Sequence, residues 1–264
     1  MSRPRRLSSA IAAALAVLAF LLLAIAPAEA EQSGRDGILT SFYASFSPNI
    51  LSRRDVQPVT ISLAGGVRAG DGTTPRLGRI ELAFATQGHL DATGLPACPR
   101  SRLRNATLRQ ALTRCRPALV GHGWIHAEVP LAPATPLVAR ARALAFNARK
   151  DGRTAVWLYA YSPSPPVSFV LPFAVRQHQR GAYGLVLEAP VAPTLGRWPR
   201  LRSFRITLGR RYSRNGEQHS FLSARCPLPP QLQSLTVPIA RVSYRFAPGP
   251  TINTTILRSC SARD

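Results

Sequence analysis

The 264-residue sequence holds one lysine, Lys150, one methionine, Met1, and only 12 acidic residues against 34 basic ones. Its formal net charge of +22 at pH 7 excludes an acidic, solvating chain and favours adsorption to anionic surfaces. The shortage of acid also narrows the chemistry. A glycosidase needs two carboxylates some 5 to 10 Å apart, and here the acids are scattered singly. There is no G-x-S-x-G nucleophile elbow. His219 and Ser220, in EQHSFLSARC, mean nothing without an acid and an oxyanion hole, and neighbours on a strand point to opposite faces. GGVRAGDG (65–72) lacks the lysine and Ser/Thr of a phosphate loop, and no helical pattern follows it. It reads as a hairpin connection between VTISLAG (59–65) and RIELAFAT (79–86). No repeat of 20 to 50 residues is visible, which argues against solenoids and propellers.

Long apolar runs are also missing, except at the start. Arg3, Arg5 and Arg6 precede the stretch Ile11 to Ala26, and Ala28-Glu29-Ala30 follows as an A-x-A site. That is the layout of a secretory signal peptide. The run falls short of the roughly 20 residues a membrane anchor needs, and Pro27 ends it. The expected product is therefore secreted or associated with the cell envelope: signal peptide 1–30, a short polar segment 31–36, and one β-rich domain over 37–264. An even number of cysteines in an exported chain argues for disulfides rather than metal binding or catalysis. Cys98, Cys115, Cys226 and Cys260 allow three pairings, and spacing favours 98 with 115 and 226 with 260, each pair flanking one local excursion.

After residue 36, short β-branched or aromatic runs alternate with proline and glycine. ALAFNAR, TAVWLYAY, VSFVLPFAV, AYGLVLEA, SFRITLG and RVSYRFA are strand candidates. In SFRITLG, Phe204, Ile206 and Leu208 share one face and Arg205 and Thr207 the other, the pattern of a half-buried strand. The fold class is all-β, an antiparallel sandwich-like domain. The one helical excursion expected is NATLRQALTR (105–114), with Leu108 and Leu112 on one face and Asn105 as N-cap. PLAPATP (130–136) reads as a loop within the domain. NAT at 105 and NTT at 253 match the glycosylation pattern, a signal of low specificity.

TRCRPALVGHGWIHAEV (113–129) gathers a cysteine, two histidines and a glutamate. Two glycines among Val120, Trp124, Ile125 and Val129 make a poor helix and a good strand. Leu119, Gly121, Gly123, Ile125, Ala127 and Val129 then share one face, and Val120, His122, Trp124, His126 and Glu128 the other. On a strand His122 and His126 stand about 13 Å apart and cannot chelate together. His126 and Glu128 could share an ion, but zinc needs a third protein ligand that nothing nominates. No metal and no cofactor are expected.

All the basic residues except Lys150 are arginine, whose planar fork binds phosphate and carboxylate in a bidentate way. The densest stretch is RWPRLRSFRITLGRRYSR, where Arg197, Arg200, Arg202, Arg205, Arg210, Arg211 and Arg214 surround Trp198, Phe204 and Tyr212. Arginines interleaved with aromatics can grip anionic polymers, and they can equally form a solvated strand face. These seven are the candidate polyanion-binding residues. The expected partners are anionic cell-envelope polymers or an anionic membrane surface, with no specific nucleic-acid binding. The expected role is non-enzymatic, with no catalytic residue assigned. The alternatives are an all-β polysaccharide-active enzyme and a structural or protein-binding module.

GLPACP (94–99), LTRC (112–115), ALVGHG (118–123), LAFNAR (144–149), LPFAVR (171–176), AYGLVLEA (182–189), ITLGR (206–210) and SFLSARCPLP (220–229) resemble a family of exported, disulfide-containing β-rich proteins of high-GC actinobacteria. The resemblance spans nearly all of the chain after residue 30. It implies export, the cysteines and a β-rich fold. None of its motifs is catalytic, so no site carries over.

Overall fold

The computed structural model describes residues 30–129, 136–192 and 199–263. The signal segment, most of PLAPATP, and Arg197 and Trp198 lie outside the described residues. In chain order the strands are β1 (Glu31–Arg35), β2 (Ile38–Ser47), β3 (Ile50–Ser52), β4 (Gln57–Pro58), β5 (Thr60–Ala69), β6 (Leu77–Ala85) and β7 (Gly88–Leu90). Helix α1 (Leu108–Cys115) follows. Then come β8 (Leu119–Val129), β9 (Leu137–Lys150), β10 (Arg153–Pro163), β11 (Pro166–Gln177), β12 (Tyr183–Pro190) and β13 (Arg200–Leu208). Last are β14 (Arg211–Arg214), β15 (Glu217–Ser220), β16 (Leu222–Ala224), β17 (Ser234–Phe246) and β18 (Thr251–Arg263). The fold is all-β, as the alternating pattern predicts.

One 13-stranded sheet runs in the order β1-β2-β5-β13-β8-β9-β10-β11-β12-β6-β17-β18-β3. Among the described residues only β3 and β18 pair in parallel. The sheet curls until its first strands lie on its last: Tyr244 on β17 donates to the Ser41 carbonyl on β2 at 3.1 Å, and Thr254 on β18 donates to Ser33 on β1 at 2.9 Å. The curled sheet encloses a core that includes Phe42, Leu63, Leu82, Leu185, Val242 and Ile256. The polar segment at 31–35 is itself a strand, β1, which forms one edge of the sheet.

Small residues make the curl sterically possible. On the inner face of β8 and β9, Gly121 pairs with Ala145, Gly123 with Ala143 and Ala127 with Ala139. A Cβ on Gly123 would lie 1.9 Å from the Arg205 carbonyl oxygen, and one on Gly121 2.4 Å from that of Thr207. Neither position has room for a side chain where β8 turns against β13.

Three local expectations are corrected. GGVRAGDG does not close a hairpin: β5 pairs with β2 and β13, β6 with β12 and β17, and the segment carries the chain between distant parts of the sheet. The strict alternation of β8 fails at its start, where a register shift between Leu119 and Gly121 turns Val120 into the main core. The cap of α1 is Thr107, not Asn105. Its side chain accepts from the Gln110 backbone N–H while the Gln110 side chain accepts from Thr107, a capping box.

Both disulfides pair as the spacing favours, Cys98 with Cys115 and Cys226 with Cys260. Two disulfides fit an oxidising compartment. The first closes the excursion that carries α1, and that excursion covers the outer face of β9 and β10. Trp157, Tyr159, Leu144 and Phe146 form a second buried cluster with Leu103, Ala106 and Ala111 beneath it. β9 and β10 are therefore buried on both faces, which is why TAVWLYAY is apolar almost without interruption. No helix among the described residues is long and apolar enough to cross a membrane.

Candidate anion-binding face

β8 turns His122, Trp124 and His126 to the outside, beside the outward residues of β13 and β9. Trp124 lies opposite Arg205 on one side and Arg142 on the other. His126 lies opposite Ser203 and Arg140. Trp124 and His126 stack with ring centroids 4.5 Å apart, and the Arg140 guanidinium sits over the indole at 5.9 Å. Ser203 Oγ and His126 Nδ1 are hydrogen-bonded at 3.3 Å. Partial burial, then the charges of Arg140 and Arg202, hold the His126 pKa below its ordinary 6.5. The ring is therefore neutral at pH 7, able to stack and to accept a hydrogen bond.

Arg140, Arg142, Arg202 and Arg205 are all exposed, and among the described residues none is ion-paired with a carboxylate. The outward positions of β5 and β13 beside them are Ser62, Ala64, Gly66, Ser203 and Thr207, none of them acidic. Glu128, at one end of β8, is buried and accepts from Thr74 at 2.7 Å. The result is an uncompensated cationic face with an aromatic stack at its centre, a surface that can bind phosphate or carboxylate by bidentate hydrogen bonds.

Of the seven candidate arginines Arg197 lies outside the described residues, and the structure does not bring the other six together. Arg202 and Arg205 belong to the face. Arg200 instead donates to the Thr74 carbonyl at 3.1 Å. Arg210 donates to the carbonyls of Pro117 and Leu119, at 2.6 and 3.0 Å, and so holds the chain that enters β8. Arg211 and Arg214 are on β14, in a separate two-stranded hairpin with β15. Sequence reading missed Arg140 and Arg142. The signal for them was present in ARARALAF (139–146), where two arginines two apart on a strand must share a face.

Acids gather elsewhere. Glu81 and Glu188 are register partners on β6 and β12, bound by Arg79, Arg176 and Arg241. Burial raises the Glu188 pKa, but hydrogen bonds and charge from Arg79 and Arg176 outweigh it, and the net shift is below the ordinary 4.5. A glycosidase acid requires the opposite shift. Among the described residues no three His, Cys, Asp or Glu side chains gather as a metal site. His219 stacks on Tyr212 at 5.5 Å, while the Ser220 hydroxyl donates to the Leu222 carbonyl.

No protein-family model matches this chain, and no curated protein or solved structure matches it. The reading of the site therefore rests on its own geometry.

Proposed function

We propose that this is an exported, non-enzymatic protein that adheres to anionic envelope polymers or to an anionic membrane surface through the face built on Trp124, His126, Arg140, Arg142, Arg202 and Arg205. One observation carries this reading: four exposed arginines from β9 and β13 flank a stacked Trp–His pair, and no carboxylate among the described residues neutralises them. Diffuse charge alone would adsorb anywhere on the molecule. A local excess of unpaired guanidinium beside an aromatic platform gives a preferred patch and supplies bidentate and cation–π contacts together. The signal-like N-terminus supports delivery outside the cytoplasm, and the disulfides agree with it. The resemblance to exported actinobacterial proteins belongs to the same reading. The non-enzymatic assignment is supported by Glu81 and Glu188 being neutralised by arginine.

The test compares two triple variants of equal charge. R140Q/R142Q/R205Q should weaken binding to isolated cell walls and to anionic vesicles by about tenfold, as expected for three partly exposed ionic contacts. R104Q/R109Q/R153Q, altered at exposed positions away from the face, should weaken it much less. Binding by the unaltered protein should fall steeply between low and physiological salt, through screening and counterion release. Equal losses in the two variants would leave only diffuse charge and remove the site.

A further inference from the structure

The curled sheet opens at one end. β17 pairs with β6 only from Ala240 onward, whereas its first residues, from Ser234, pair with β18 alone. A bulge between Pro238 and Ala240 marks the parting, and proline has no N–H to extend a ladder toward β6. Between this free stretch of β17 and the small sheet β4-β16-β7 lies a cavity of about 340 Å³. Its walls include Phe46, Ile61, Phe84, Leu222, Val237 and Ile239, and both Cys226 and Cys260 line it. The volume falls at the small end of ordinary ligand sites, about 300 to 1,000 Å³.

The polar part of the lining is as informative. Ser45, Gln87, His89, Ser223 and Arg225 are present, and no carboxylate is. Arg225 is exposed, and among the described residues its guanidinium makes one hydrogen bond, to the Arg54 carbonyl at 3.3 Å. Leu235, on the lining, is 45% exposed and extends the apolar wall to the surface. A sugar or peptide would lose hydrogen bonds against such walls without replacement. A cationic ligand would find no counter-charge.

We propose that this cavity binds a single acyl chain with an anionic head group, the chain between β17 and β16 and the head at Arg225. A free fatty acid and a lysophospholipid share this chemistry. The site has no residue in common with the arginine face around Trp124, so the two proposals stand or fall separately.

The experiment uses the purified, disulfide-intact protein and the fluorescent probe 11-(dansylamino)undecanoic acid. Palmitate, palmitoyl-lysophosphatidylglycerol and hexadecanol compete below their micellar concentrations. Saturable 1:1 probe binding is expected, with displacement by palmitate if the source is a fatty acid and by the lysolipid if it is a phospholipid. R225Q should weaken the anionic competitors by about tenfold, the loss of one charge-assisted hydrogen bond, and leave hexadecanol unchanged. A224W and I239W each fill the cavity, and whichever folds with an unshifted melting temperature should not bind the probe. R140Q/R142Q/R205Q should bind it normally. Non-saturable uptake, or undiminished binding in a folded tryptophan variant, would overturn the proposal. If both tryptophan variants fail to fold, equal weakening of palmitate and hexadecanol by R225Q would overturn it instead.

Discussion

The indole N–H of Trp157 donates to the backbone carbonyl of Cys98 at 3.0 Å. This ties the disulfide-closed excursion to the centre of the sheet. Asn147 donates to the carbonyls of Leu95 and Pro96, and Tyr159 donates to that of Ala106 at 2.5 Å. Irregular backbone that would otherwise be buried unpaired is thereby satisfied by three side chains of β9 and β10.

Tyr159→Phe should lower stability by about 1 to 3 kcal/mol, because the Ala106 carbonyl is left buried without its partner. Chemical denaturation of the two proteins measures this. Burial, and then Tyr161, push the Tyr159 pKa up to about 12. The unfolded chain ionises near pH 10, so the contribution is complete below that pH and is lost as pH rises to about 12. Tyr159→Phe should flatten this alkaline loss, and an unchanged profile would contradict the assignment.

Gly123→Ala should cost about 3 kcal/mol or more, since a methyl group would overlap the Arg205 carbonyl and force β8 away from β13. A thermal melt within a degree or two of the native one would mean that the sheet does not bend as described.

His126 should titrate below 6.5 in the folded protein, and R140Q should move it back upward by removing one of the charges that lower it. With a depressed folded pKa, its contribution to stability is complete above 6.5 and is lost as pH falls through the folded value. NMR titration of the imidazole carbon-bound protons gives both numbers directly.

Glu188 should make the molecule acid-sensitive through its ties to Arg79 and Arg176. Its folded pKa lies below the ordinary 4.5, so the contribution is present above that value and disappears as pH falls through the folded one. Glu188→Gln should destabilise the protein at pH 7, flatten the loss of stability between neutral and acid pH, and leave the acid-unfolding midpoint no lower than in the native protein. An equally steep acid loss in the variant would show that other carboxylates govern acid unfolding.

Local pattern made much of this legible. SFRITLG alternates as β13 does, and the cysteine spacing matches the observed pairs, because each depends on residues near one another in the chain. GGVRAGDG misleads for the opposite reason: strand partners are set by the curl of the sheet, which no local pattern encodes. The face around Trp124 was half legible. Arg202 and Arg205 stand out in a dense arginine run, whereas Arg140 and Arg142 reach them only because β9 and β13 flank β8. Arg200 and Arg210 look equivalent in sequence, but each is drawn off by backbone carbonyls that only the folded chain supplies.

The ladder order has a kinetic meaning. Gly65 must wait for Phe204 and Leu82 for Val242 before their strands are paired on both sides, and closure of long chain loops is slow. The early part of the chain can close its own disulfide, Cys98 with Cys115, but the curled sheet cannot complete itself until the last hairpin arrives. Shortening the chain by the β17–β18 hairpin would therefore remove more than one corner of the molecule. It would leave Cys226 without a partner and β6 with a bare edge, a species poised to aggregate rather than a smaller version of the fold.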